Sequence, residues 1–202
     1  MTLASTARQD PRPRGAARRE ALLDAVLRIV AEAGVDAVTH RRVAEVAELP
    51  LASTTYWFES KDHLLTAALE LAAQRDTARL HEFIAARLDV ADDPLELAVA
   101  AILDPIDQAP QASRGSLLAT YALLLEAARR PSLQSVTREW TDAYLNVLQR
   151  LLKVAGSSHP RADADLLLAV ADGLLIGQLA SGKAGDLAPE LRRLAGALVS
   201  RR

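Results

Sequence analysis

The sequence predicts an all-α protein of about nine helices. Three observations carry that expectation. Apolar residues recur at spacings of three and four along the chain, the mark of one buried helical stripe after another. No stretch alternates with period two for long enough to make a convincing strand. Glycine and proline mark most of the breaks between the periodic runs.

Leu22, Val26, Ile29, Val30 and Ala33 form the stripe of a first helix, and Gly34 supplies its C-terminal stop. Val43, Ala44, Val46 and Ala47 mark a short helix that Thr39 can cap. Leu49 and Pro50 read as a turn, and residues 52–58 as another short helix. From Asp62 a long pattern runs to about Leu88, with Leu64, Leu65, Ala68, Leu69, Ala72 and Leu80 on one side. Asp92-Asp93-Pro94 is a start signal for a helix over 95–106, and residues 108–115 read as a loop. Leu117, Leu118, Tyr121, Leu124, Leu125 and Ala128 mark a helix that Pro131 ends. Trp140, Tyr144, Val147, Leu148, Leu151 and Leu152 mark the next, ending at Gly156. After the loop "GSSHP", helices over 162–181 and 187–200 complete the set.

Half of the 202 residues are hydrophobic and a quarter are charged, a globular composition. The chain has no cysteine, which excludes disulfides and thiolate chemistry and fits the reducing cytoplasm. The opening "MTLASTARQDPRPRG" has no apolar core of a secretory signal. No run approaches about 18 uninterrupted apolar residues, so no membrane span is expected. The net charge is −2, but Arg8, Arg12, Arg14, Arg18 and Arg19 stand against the single acid Asp10. Such a segment is either a solvated tail or a basic arm lying along phosphates. His40, His63, His81 and His159 are scattered without metal-ligand spacing, and no phosphate-binding loop or GxSxG occurs. No enzymatic reaction, cofactor or metal is therefore expected.

Only 3% of the chain is aromatic, yet Tyr56, Trp57 and Phe58 stand side by side in "STTYWFESKD". Residues 39–58 meet the demands of a helix-turn-helix: two short helices, a tight turn and small residues where they cross. Ala44 and Ala47 supply the crossing face, with Val43 and Leu49 as apolar pins. Ser53, Thr54 and Thr55 give the second helix a short polar front for base edges. Tyr56 can bond a phosphate through its hydroxyl, and Phe58 reads as core. The same run is also compatible with a capped, half-buried helix that meets no ligand.

Residues 18–69, "RREALLDAVLRIVAEAGVDAVTHRRVAEVAELPLASTTYWFESKDHLLTAAL", resemble the N-terminal domain of the TetR family of transcriptional regulators. Gly34, Thr39, Val43-Ala44, Ala47, Tyr56 to Phe58 and Ser60 to Leu65 carry the match without gaps. The resemblance implies a three-helix DNA-binding domain over 18–62, and the arginine-rich charge pattern reads residues 1–17 as a basic flexible arm ahead of it. The resemblance also implies a larger effector-binding and dimerisation domain over 63–202, and a homodimer. By position, Thr39, Arg41 and Arg42 fall where the family touches phosphates, with His40 beside them. Leu51, Ala52, Ser53, Thr54, Thr55, Tyr56 and Trp57 form the recognition helix, and Lys61 matches a phosphate-contacting lysine. The chain departs from the family pattern at Glu48, Pro50, Ala52 and Thr55, where glycine, serine or threonine, glycine and tyrosine are usual. With Glu48 in place of the turn glycine, closure through Pro50 is expected.

In the C-terminal half, Leu167, Val170 and Leu174 lie on a helix apolar nearly all round. Gly173 and Gly177 on it allow close helix approach. Leu187, Leu191, Leu194 and Leu198 read as a seam for a partner helix, or both helices are simply core. Tyr121, Glu126, Trp140, Tyr144 and Asp172 are candidate liners of an effector pocket, polar tips in apolar surroundings. The expected function is a ligand-responsive repressor, dimeric on a near-palindromic DNA operator, with an apolar small-molecule effector. An activator of the same family, or a helical ligand-binding protein without DNA binding, are the alternatives.

Overall fold

The computed structural model describes residues 11–107, 110–183 and 185–200. Among the described residues the chain forms nine α-helices and one short 3-10 turn, with no strand. They are α1 (Pro11–Ala33), α2 (His40–Val46), α3 (Leu51–Trp57), α4 (Lys61–Arg87) and α5 (Pro94–Asp107). They continue with α6 (Pro110–Ala127), α7 (Pro131–Val154), α8 (Pro160–Ser181) and α9 (Ala188–Val199). The 3-10 turn is Val35–Ala37.

Proline explains where the boundaries depart from the periodic reading. Its missing N–H costs nothing in a helix's first turn, so proline opens helices as readily as it ends them. Residues 11–17, expected in a flexible arm, are the first turns of α1, which begins at Pro11. Residues 1–10, with Arg8, lie outside the described residues. Residues 110–115, expected in a loop, open α6. Pro131 follows the end of α6 and also starts α7, and Pro160 starts α8. α8 is long and apolar enough to cross a membrane by length and composition alone, which a search for uninterrupted apolar runs missed.

Two apolar clusters share the molecule. The first joins Leu22, Val26 and Ile29 of α1 with Val43 of α2, Phe58 after α3, and Leu64, Leu65 and Leu69 of α4. Ala119 and Leu123 of α6 and Leu133 of α7 complete it. The second joins Leu80 and Phe83 of α4 with α5, the C-terminal half of α7, α8 and α9. α4 thus runs through both. Arg130, at the turn between α6 and α7, ties that turn to the first turn of α4 by pairing with Asp62, and also pairs with Glu126.

The α2–α3 turn closes differently from the expectation. Glu48 carries it at φ +55°, the only non-glycine with positive φ among the described residues. Its position follows the end of α2, where the N–H of Leu49 donates to the Ala44 carbonyl at 3.0 Å. Pro50, at φ −58°, serves instead as the first residue ahead of α3. A left-handed conformation costs a side-chain-bearing residue about 1–2 kcal/mol, while glycine adopts it without that cost and loses more chain entropy on folding. Glu48→Gly is therefore expected to stabilise the protein by about 0.5–1 kcal/mol, read as a rise in thermal midpoint.

Candidate functional site

The α2–α3 unit is built from its caps outward. The Thr39 hydroxyl accepts from the Arg42 N–H at 3.1 Å and fixes the start of α2. The Ser60 hydroxyl accepts from the His63 N–H at 3.1 Å and fixes the start of α4. Val43 and Ala44 are buried where α2 meets α1 and α3. Arg28 of α1 donates to the Val46 carbonyl at 2.9 Å and ties the end of α2 down.

α3 divides sharply into an inner and an outer side. Thr54 is fully buried and its hydroxyl donates to the Leu51 carbonyl at 2.8 Å. The expectation that Thr54 reads bases is therefore corrected: the side chain is buried and its hydroxyl is used within the helix. Ser53 is half-buried at the margin. Phe58 is buried beneath the Arg19 guanidinium, 5.6 Å from the ring centre. Leu51, Ala52, Thr55 and Tyr56 point outward, Tyr56 at 79% exposure. Trp57 is half-buried against the first cluster and meets the Tyr56 ring edge-on at 5.0 Å, a wall that holds Tyr56 out.

Around α3 stand the polar groups expected at phosphates. Thr39, Arg41 and Arg42 are exposed. Arg41 bonds Glu45 one turn on at 3.0 Å. Lys61 donates to the Asp36 carbonyl at 3.2 Å, so its ammonium is braced against the turn before α2. His40 is half-buried and its Nδ1 has no hydrogen-bond partner.

A cavity of about 380 Å³ lies between α1, α4, α5, α6, α7 and α8. Tyr121, Trp140, Tyr144 and Asp172 line it, as expected. Glu126 does not: it sits at the other end of α6 and bonds Arg130 at 2.9 Å. The sequence reading missed Arg75, Asp76 and Arg79 of α4. Asp76 is the hub of the wall. It accepts from the Trp140 indole N–H at 2.9 Å and the Tyr144 hydroxyl at 2.7 Å, and pairs with Arg79. Arg79 also reaches Asp104 at 3.5 Å. Arg75 turns toward α1 and grips Glu20 and Asp24, each at 2.5 Å. Tyr121 donates to Asp172 at 2.9 Å. Burial, with the charge of Asp172, pushes the Tyr121 phenol well above its ordinary range, and burial with Asp76 does the same to Tyr144. Burial also raises Asp172, against the opposing hydrogen bond from Tyr121.

The seam expected on α9 is not on the surface. Leu187, Leu191 and Leu198 are buried in the second cluster of their own chain, as is Leu167 of α8. Leu194, Val170 and Leu174 are half-buried against it. The outward stripe of α8 is Leu166, Ala169, Gly173, Ile176, Gly177 and Ala180, with Leu166 and Ile176 each 45% exposed. A Cβ added at Gly173 or Gly177 would meet nothing within 4 Å, so neither glycine is there for packing inside this chain.

Comparison with known proteins agrees with this architecture. Residues 93–201 match the family described as tetracyclin repressor-like, C-terminal domain. The chain belongs to the TetR family of transcriptional regulators. One TetR-type relative, the HTH-type transcriptional regulator BetI of Burkholderia thailandensis, is 30% identical over 167 residues, covering 82% of this chain and 84% of that protein. A transcriptional regulator from Rhodococcus sp. Rha1 has the same fold, with a TM-score of 0.79 at 24% identity over 89% of this chain and 95% of that one. The multidrug binding protein EbrR, in complex with imidazole, is 30% identical with a TM-score of 0.70 over 92% of this chain and 96% of that one. EbrR is also known in complexes with ethidium, proflavin and malachite green.

In this TetR-family chain Asp172 is a carboxylate whose ionisation works against folding. Its folded-state value lies above the ordinary 3.8, so the folded state holds the proton more tightly than the unfolded chain. The penalty is present at neutral pH and disappears as pH falls through the folded value. Asp172→Asn keeps an acceptor for Tyr121 and removes the charge. It is expected to raise the thermal midpoint at pH near 7, and the advantage over the parent should vanish on acidification.

Proposed function

We propose that this TetR-family chain is a ligand-responsive DNA-binding repressor, acting as a homodimer on a near-palindromic operator in the cytoplasm. The observation that carries the reading is the split of α3: Thr54 and Phe58 anchor it from beneath while Leu51, Ala52, Thr55 and Tyr56 stand clear of the surface. A short helix held this way presents small side chains that can enter a major groove closely. Leu51, Ala52 and Thr55 meet base edges, where methyl groups contact thymine and the Thr55 hydroxyl can turn outward. Ser53 lies at the edge of this set. Tyr56, Thr39, Arg41, Arg42 and Lys61 meet phosphates. Residues 18–62 act as the DNA-binding unit and 63–202 as the effector and dimer unit.

The α8 stripe of Leu166, Ile176 and small residues supports a two-fold interface through α8, with Gly173 and Gly177 letting two copies approach. The cavity beside α4 supports an effector site, and a multidrug-binding relative of like architecture supports it further. Effector binding favours a position of α4 in which the paired α3 helices no longer match successive grooves. A coupling of about 1–3 kcal/mol weakens operator affinity roughly 5- to 150-fold.

Selection of genomic DNA fragments by the full-length protein, followed by mobility shift, tests the reading. Recovery of a near-palindromic fragment supports it, and failure to retain any fragment overturns it. On that fragment, Arg42→Ala should weaken binding to all sequences and lower the salt slope by about one, whereas Thr55→Ala should relax preference at one base position by about 1–3 kcal/mol. Ile176→Glu should convert the dimer to a folded monomer, seen by light scattering with an unchanged helical spectrum. A particle mass unaffected by that substitution would remove α8 from the interface.

A further inference from the structure

The cavity wall carries two cations, Arg75 and Arg79, and two carboxylates, Asp76 and Asp172. Both guanidiniums are occupied: Arg75 by Glu20 and Asp24, Arg79 by Asp76 and Asp104. Asp76 is saturated, with Arg79 on one oxygen and the Trp140 and Tyr144 donors on the other. Asp172 differs. It lies on the opposite wall and holds only the Tyr121 hydroxyl, on Oδ1, with no cation among the described residues paired to it. A carboxylate set into the apolar stretch 166–177 of α8 and left without a counter-charge is costly, and a cationic ligand would offset that cost.

The walls say what kind of ligand. Trp140 and Tyr144 present aromatic surface, and Leu168 and Leu175 extend it on the α8 side. The indole and phenol polar tips are turned into Asp76, which leaves the π-faces and ring edges for the occupant. Aromatic faces attract cations and stack flat rings, and both effects strengthen where water is excluded. A neutral apolar molecule would leave Asp172 without a counter-charge, and an anion would meet its carboxylate while both guanidiniums are already paired.

We propose that the cavity selects an organic cation, a flat or bulky apolar body against Trp140, Tyr144, Leu168 and Leu175 with its positive centre at the Asp172 Oδ2. This rests on the reading of the cavity as the effector site and narrows the expected apolar effector to a charged class. Asp172 supplies the charge selection, Tyr121 holds its carboxylate in place, and the aromatic wall supplies the bulk of the contact.

Three tricyclic probes of similar shape test it by fluorescence titration of the full-length protein at mildly alkaline pH: proflavin, a cation; acridine, uncharged there; and 9-anthracenecarboxylate, an anion. Proflavin should bind about 10- to 100-fold more tightly than 9-anthracenecarboxylate. Asp172→Asn should remove most of that preference while leaving acridine binding within about twofold. Equal binding of the cation and the anion, or cation preference unchanged in Asp172→Asn, would overturn the proposal. The comparison of probes on the parent protein needs no variant, so it stands whatever the substitution does to folding. The DNA reading fails separately: a protein that retains no genomic fragment can still be titrated, and one that prefers the anion can still bind an operator.

Discussion

The burial of α4 on two different cores is the constraint on which the rest of the molecule depends. Its N-terminal half gives Leu64, Leu65 and Leu69 to the cluster beneath α1, α2 and the end of α3. Its C-terminal half gives Leu80 and Phe83 to the cluster formed with α5, α7, α8 and α9. Between the two sets lies Asp76, and the cavity opens beside it. Had either set been polar, the α1–α3 unit would be a separate small domain on a linker. As it is, the same 27-residue helix begins at Lys61, beside the turn before α2, and passes the cavity wall. α6 repeats the arrangement, with Ala119 and Leu123 toward α1 and Tyr121 and Leu124 toward the cavity.

The architecture was legible in the sequence because helical periodicity and caps are local properties. Thr39 caps α2 as its spacing to the following stripe implies, and the long fourth helix falls within a residue or two of its expected ends. What periodicity does not encode is which element covers a stripe. Leu187, Leu191 and Leu198 form an apolar line that would suit a partner copy, but α5 and α8 of the same chain already cover it. Thr54 looked like one of three equivalent hydroxyls in "STT", yet a seven-residue helix pinned at Phe58 turns one of them inward.

The missed cavity residues left a readable trace. Asp76 falls on the apolar stripe of α4, between Ala72 or Ala73 and Leu80, and Asp172 interrupts the otherwise apolar stretch 166–177 of α8. An acid on the inner face of a helix needs a partner or a purpose. Asp172 stands out in the sequence because its neighbours from 166 to 177 are apolar or glycine. Asp76 was hidden by the many charges on the other faces of α4. Its partners Trp140, Tyr144 and Arg79 lie 64 and 68 residues away and one turn away respectively, and only folding brings the distant pair to it.

The unbroken backbone of α4 has a mechanical consequence. From Asp76 to Lys61 the axis rises about 22 Å, and a helix of this length is stiff against bending. A tilt of about 5° pivoting at the cavity therefore carries Lys61 sideways by about 2 Å, with no residue between them changing its own conformation. Because Arg75 clamps α1 and Arg130 clamps the first turn through Asp62, neighbouring helices are bound to travel with the lever. A small shift of α4 at Asp76 is magnified by leverage before it reaches Lys61.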